Sequence, residues 1–181
     1  MPSLDNKLSL ARNTALCGVF CAVALILSYL EGFVPLGAFL GIPGVKLGLA
    51  NIVAVVIFYR IGVYHAAVVS LLRILISTLL FGNVTSFVFS LCGGILSFFV
   101  LFFTRRIYEK HIGLIGVSIL CAAAHNAGQI FAAFVLMQET GVFLYLPPLL
   151  IAAIPCGSVT GVISALLLYT IRKNKTGDVW K

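Results

Sequence analysis

The stretch PGVKLGLANIVAVVIFYRIGVYHAAVVSLLRILISTLLFGN, residues 43–83, decides the fold. Between a Pro-Gly turn and a Gly-Asn turn lie two apolar runs, Val45–Tyr59 and Val63–Phe81, parted only by Arg60, Ile61 and Gly62. The second run has the length, about 20 residues, that a helix needs to cross the hydrocarbon of a bilayer, whereas the first is short for a full crossing. Runs this apolar belong in lipid, where only helices and closed barrels satisfy their own backbone amides. Yet these two carry Lys46, Asn51 and Arg73. A charge within a span costs about 2.5–3.5 kcal/mol even on the lenient insertion scale, so such residues need a reason.

The same pattern extends outward. The chain has 181 residues, 61% hydrophobic and 9% charged, with a mean hydropathy of +1.16. A soluble domain carries about 25% charged residues, so an all-α integral membrane protein is expected, one compact domain over 1–181. The net charge of +7 comes from short basic clusters between apolar runs. Those are topology determinants, not a nucleic-acid surface. Cys17, Cys21, Cys92, Cys121 and Cys156 all fall inside apolar runs with no ligand spacing, so neither a metal site nor a disulfide framework is expected.

Six spans are expected: roughly Asn13–Leu30, Val45–Tyr59, Val63–Phe81, Val84–Thr104, Ile112–Met137 and Phe143–Ile171. Lys7 and Arg12 before an apolar run also describe a signal peptide, but the run continues to Tyr29, so it reads as a retained first helix. Short tails are expected at about 1–10 and 172–181. The mostly apolar loop at about 31–44 reads as a lid over the bundle. With six crossings, Lys7, Arg12, Arg60, Arg105, Arg106, Lys110, Arg172, Lys173, Lys175 and Lys181 share one side. The positive-inside rule makes that side cytoplasmic and both termini N-in and C-in. Small residues at i, i+4 mark close helix contacts: Ala11, Ala15, Gly18 and Ala22 in the first span, Gly157, Gly161 and Ala165 in the sixth. Either ladder can serve packing inside the bundle or docking of a membrane partner.

The polar residues converge in depth. At about 1.5 Å rise per residue, Asn51 lies about 8 Å inward from Lys46, and Arg73 about 12 Å below the outer end of its span. His125 is near the middle of the fifth span, with Gln129 one turn outward on the same face and Asn126 a near neighbour. Glu31 closes the first span and Asn83 caps the turn into the fourth. All map to the outer half of the bilayer, and the inner half has little comparable. A polar chamber under the lid is expected, with Glu31, Lys46, Asn51, Arg73, His125, Asn126 and Gln129 as candidate binding residues. Arg73, whose fork can hold two oxygens at once, suits a carboxylate or phosphate. The competing reading pairs Arg73 with Glu31 or helix carbonyls and leaves the amides to cross-link helices. There is no phosphate-gripping loop and no catalytic triad setting, so neither ATP-driven pumping by this chain alone nor hydrolase chemistry is expected.

The segments "PGVKLGLAN" (43–51), "SLLR" (70–73), "FGN" (81–83), "SFVFSLCGG" (86–94) and "GVSILCAAAHNAGQ" (116–129) resemble the membrane family known as heptaprenyl diphosphate synthase component I, also called the Gx transporter family. The resemblance covers roughly residues 12–170. It implies a six-span protein of the bacterial cytoplasmic membrane, similar to the S components of energy-coupling factor (ECF) transporters. Such subunits capture vitamin-like molecules from outside and dock, through an Ala-xxx-Ala element, on a transmembrane coupling subunit driven by two ATPases. Ala11, Ala15, Gly18 and Ala22 would be that docking face. The expected function is therefore capture of a small anionic molecule for ATPase-driven uptake, with membrane lipid, the ligand and a coupling module as partners and no cofactor. The alternative is a non-catalytic scaffold in polyprenyl, quinone or flavin-linked redox metabolism. Prenyl transfer itself is not expected, because magnesium diphosphate is gripped by clustered carboxylates and the only aspartates are Asp5 and Asp178.

Overall fold

In the computed structural model, residues 4–33, 48–108 and 112–173 are described. They form α1 (Leu4–Gly32), α2 (Asn51–Arg60), α3 (Val63–Phe81), α4 (Val84–Tyr108), α5 (Leu114–Met137) and α6 (Leu146–Lys173), with a 3-10 turn over Thr140–Tyr145 before α6. The described residues contain no strand. Lys46 and most of the expected lid lie outside them.

Among the described residues five helices are long and apolar enough to cross a membrane; α2, with ten residues, is not. At about 1.5 Å per residue α2 covers about 15 Å, half of a hydrocarbon layer about 30 Å thick. The expected second span, Val45–Tyr59, is thus corrected to a half-length helix that begins at Asn51. Its first turn is closed by the Asn51 amide to the Gly48 carbonyl at 2.9 Å and the Ile52 amide to the Leu49 carbonyl at 3.1 Å. Gly48, at φ 81°, supplies a left-handed turn that a side chain would resist, and so sets where α2 starts. At the other end of α2, Gly62 at φ 142° reverses the chain directly into α3. The α1 helix also begins earlier than expected, at Leu4, so most of the expected N-terminal tail is helical.

Short connections make α2 to α6 antiparallel in turn, and the contact of Glu31 with Gly48 brings the finish of α1 beside the start of α2. One end of the bundle, termed upper here, gathers the finish of α1, the start of α2, the α3–α4 turn and the α5–α6 turn. Asn83 caps that α3–α4 turn, its Oδ1 accepting from the Ser86 amide at 2.7 Å. Tyr29, Phe33 and Phe81 pack edge to face there, with centroids 5.0 and 5.4 Å apart. The lower end carries Arg60 and Arg105, and Arg105 lies 5.9 Å above the Phe58 ring.

Packing is unequal across the bundle. The α4, α5 and α6 helices press together, while α1 rests mainly on α3 and α2. Glycine explains the difference. A Cβ at Gly128 would lie 2.6 Å from the Cys92 carbonyl oxygen, one at Gly157 2.5 Å from the Ile119 Cα, and one at Gly161 2.6 Å from the Ile115 Cα. Backbone meets backbone at these points, as small residues allow in lipid. The sixth-span ladder is therefore internal packing of α6 on α5. The first-span ladder is not: Ala11, Ala15, Gly18 and Ala22 are all exposed, and a Cβ at Gly18 would meet nothing within 4 Å. Among the described residues the lower half buries neutral hydroxyls, and two of these bond back to their own helix, Thr104 to the Val100 carbonyl at 2.7 Å and Thr160 to the Gly157 carbonyl at 2.9 Å.

Gly128→Val is expected to lower the melting temperature of detergent-purified protein, since overpacking costs about 1–3 kcal/mol. Gly18→Val is expected to leave it unchanged. Equal melting of the two variants would refute this packing scheme.

Candidate functional site

The site begins where α2 begins. A helix start leaves backbone amides without partners, and here that start is buried: Gly48 and Ala50 are buried and Asn51 half-buried. Glu31, at the end of α1, answers it. Its Oε1 accepts from the Gly48 amide and from the Leu49 amide, the latter at 3.2 Å. An anion at a helix N-terminus is also favoured by the helix dipole. Glu31 is 4% exposed, so this carboxylate joins the two ends of the 33–48 connection inside the protein.

The α5 helix supplies the opposite wall. His125 and Gln129 are one turn apart on one face, and the Gln129 amide N–H donates to His125 Nε2 at 3.2 Å. That assignment puts the ring proton on Nδ1. Gln129 has no exposed surface. The imidazole is held between two glycines. A Cβ at Gly93 would lie 2.8 Å from its Cε1 and Nδ1, and a Cβ at Gly48 3.4 Å from its Cδ2. The same Gly48 position is 3.1 Å from Asn51 Nδ2. Gly48 therefore brings Glu31, Asn51 and His125 into one neighbourhood. Asn126 is buried too, but its Nδ2 donates to the Leu149 carbonyl at 2.8 Å, tying α5 to the start of α6.

Arg73, on α3, is 7% exposed. Its Nη1 donates to Ser28 Oγ on α1 at 3.4 Å, a long bond. The Glu31 carboxylate, one turn further along α1, interacts with it electrostatically. On another side Arg73 lines a cavity of about 10 Å³ with Asn51, Ser70 and Ser97, walled below by Phe98 and Leu101. Of the seven expected binding residues, the structure thus groups Glu31, Asn51, Arg73, His125 and Gln129 at the upper half of the bundle, from α1, α2, α3 and α5. Asn126 faces α6, and Lys46 lies outside the described residues. Among those described, no three His, Cys, Asp or Glu side chains stand together as metal ligands.

The exposed small-residue ladder of α1 borders a groove of about 640 Å³ against α3, with Thr14, Cys17 and Cys21 on one side and Tyr64, His65 and Val68 on the other. It is separate from the polar cluster.

Sequence reading missed the residues that shape the cluster. Gly48 and Gly93 hold the imidazole, and Ser28, Ser70 and Ser97 surround the guanidinium. Gly48 had a signal, a glycine three residues before Asn51 at the head of an apolar run. The serines had none, because hydroxyls are common in membrane helices and face any direction.

The family model described as heptaprenyl diphosphate synthase component I matches residues 20–167. No curated protein and no solved structure matches the chain.

Hydrogen bonds to a charged group are worth about 1.5–3 kcal/mol. Glu31→Ala is therefore expected to destabilise the protein by that order in thermal melts, with Glu31→Gln retaining part of the loss. An unchanged melt for Glu31→Ala would show that the carboxylate does not anchor α2. Gly93→Ala is expected to displace the His125 ring, since backbone and ring atoms both lie within 2.9 Å of the new methyl. The histidine side-chain NMR signals would report it.

Proposed function

The chain belongs to the heptaprenyl diphosphate synthase component I family, and on that premise we propose that it is a membrane-embedded capture subunit for a small anionic molecule, similar to the S components of ECF transporters. One observation carries the reading: charged, imidazole and amide side chains from three helices are buried together at one end of the bundle beside the half-buried Asn51 of a fourth, while the lower half buries only hydroxyls among the described polar residues. Lipid-buried charge is costly and marks pathways and binding sites.

Each residue has a task in this reading. Arg73 attracts the anion, because Glu31 is engaged with the start of α2 and does not meet the guanidinium's donors one for one. Asn51, His125 and Gln129 fix orientation through directional hydrogen bonds. Lys46, which lies outside the described residues, is assigned a supporting positive charge by this reading alone. Asn126 stiffens the wall by holding α6. The basic lower end faces the cytoplasm by the positive-inside rule, so both termini are cytoplasmic and the ligand arrives from outside. The exposed Ala11, Ala15, Gly18 and Ala22 face then meets a transmembrane coupling subunit whose ATPases supply the energy.

A second reading is an accessory subunit without a ligand, in which the component I chain supports a prenyl- or redox-metabolism partner. The observation in its favour is that most of the polar residues already have protein partners: Glu31 with Gly48 and Leu49, His125 with Gln129, Asn126 with Leu149.

Native mass spectrometry of detergent-purified protein separates the two. The capture reading predicts a bound small molecule that is lost in Arg73→Gln, with folding retained. Ligand-free protein from every preparation, together with co-purification of a prenyl- or redox-metabolism enzyme, would establish the accessory role instead.

A further inference from the structure

The guanidinium of Arg73 has far more hydrogen-bonding capacity than the protein uses. It carries five N–H donors, and among the described residues its hydrogen-bond partner is Ser28 Oγ at 3.4 Å. A charged group so buried costs several kcal/mol unless its donors are met. The nearby carboxylate, Glu31, reaches it through space but gives Oε1 to the amides that open α2. Beside Arg73, on the side away from the upper end, lies the cavity bounded by Asn51, Ser70 and Ser97. Ser70 is one turn of α3 below Arg73, and Ser97 comes from α4 across the bundle. These neighbours offer an amide N–H and two hydroxyls, and no carboxylate lines the space. Asn51 and Ser70 spend no side-chain hydrogen bond on the other described residues.

We propose that this chamber is a resident site for one monatomic anion, chloride under physiological conditions, held by Arg73 with Asn51, Ser70 and Ser97. Size selects the class. About 10 Å³ is the smallest space that accepts one water-sized particle. A halide is larger than water and needs the serine rotamers to move outward, but it is a single atom. A phosphate, sulfate or metabolite carboxylate has several heavy atoms and does not fit. Chemistry selects the sign. Every polar side chain lining the chamber can donate, and the one charge among them is positive. Water would satisfy the hydroxyls but bring no negative charge to the side of the guanidinium that faces away from Glu31, in a low-dielectric setting where an unmet charge costs most. The inference shares Arg73 with the capture reading and concerns only the side of the guanidinium that faces Ser70 and Ser97.

The test uses the full-length protein in detergent with no organic ligand added. Melting is followed in sodium chloride, sodium bromide and sodium gluconate at equal ionic strength. Chloride and bromide are expected to raise the melting temperature saturably over gluconate, by about 2–4 °C or more. Crystals grown in bromide are expected to give one anomalous peak between Arg73 and Ser70. Arg73→Gln is expected to abolish the halide increment. Should that variant fail to fold, Ser70→Val, which fills the chamber and leaves Arg73 in place, is expected to abolish it as well. Superimposed melts in the three salts, an undiminished increment in Ser70→Val, or a chamber holding only water in the bromide map would each overturn the site. The two readings fail separately. A halide response without any captured molecule removes the capture function alone, and a captured molecule without a halide response removes the chloride site alone.

Discussion

The contact of Glu31 with the first amides of α2 is the constraint from which the rest of the site follows. A helix that starts inside a bundle, and not at its surface, has amide groups that water cannot reach. In lipid each such group costs several kcal/mol if left alone. A carboxylate on a neighbouring helix removes that cost and adds a favourable interaction with the helix dipole. Once α1 supplies it, the finish of α1 and the start of α2 are fixed against each other. Gly48 then sits over the His125 ring, Asn51 turns toward Arg73, and the half-length α2 is held between its longer neighbours.

The wall opposite is built on another principle. Lipid tails are as apolar as leucine, so helices gain little by merely hiding side chains from them. The α4, α5 and α6 helices associate through backbone-to-backbone approach at Gly128, Gly157 and Gly161, which maximises dispersion contact over a small area. His125 and Gln129 therefore stand on the most closely packed part of the molecule. The α1 and α3 side is looser, with a groove between the two helices and small residues left uncovered. A closely packed wall and an unfilled groove thus lie on different helices.

Hydroxyl and ionic groups follow different rules in this bundle. Thr104, Thr160, Thr170 and Ser158 bond to carbonyls of their own helix, so they are satisfied wherever they fall and carry no information about a site. An amide or guanidinium has too many donors for such local satisfaction and must find partners on other helices. That is why Asn51, Arg73, Asn126 and Gln129 report the organisation of the bundle, and why a serine does so only when, like Ser70, it lines a cavity with the guanidinium.

Much of this was legible in the linear chain. Hydropathy fixed the helical membrane class, because a backbone in lipid must bond to itself. The third span matched Val63–Phe81 and the fourth began at Val84, since turn residues and charges punctuate apolar runs sharply. The depth of the polar residues also followed, from helical rise alone. Tertiary structure decided the remainder. It set α2 at half length, because a Gly48 turn and a carboxylate from α1 stop the helix where sequence hydropathy would let it run. It sent one small-residue ladder inward and left the other bare, although both read the same, because only a neighbour's backbone at van der Waals distance distinguishes them. It aimed Asn126 at α6 and Gln129 at His125, since residues three apart on a helix share a depth but point about 60° apart. Depth is a property of one helix and can be counted. Direction and partnership belong to pairs of helices, and they exist only once the bundle has formed.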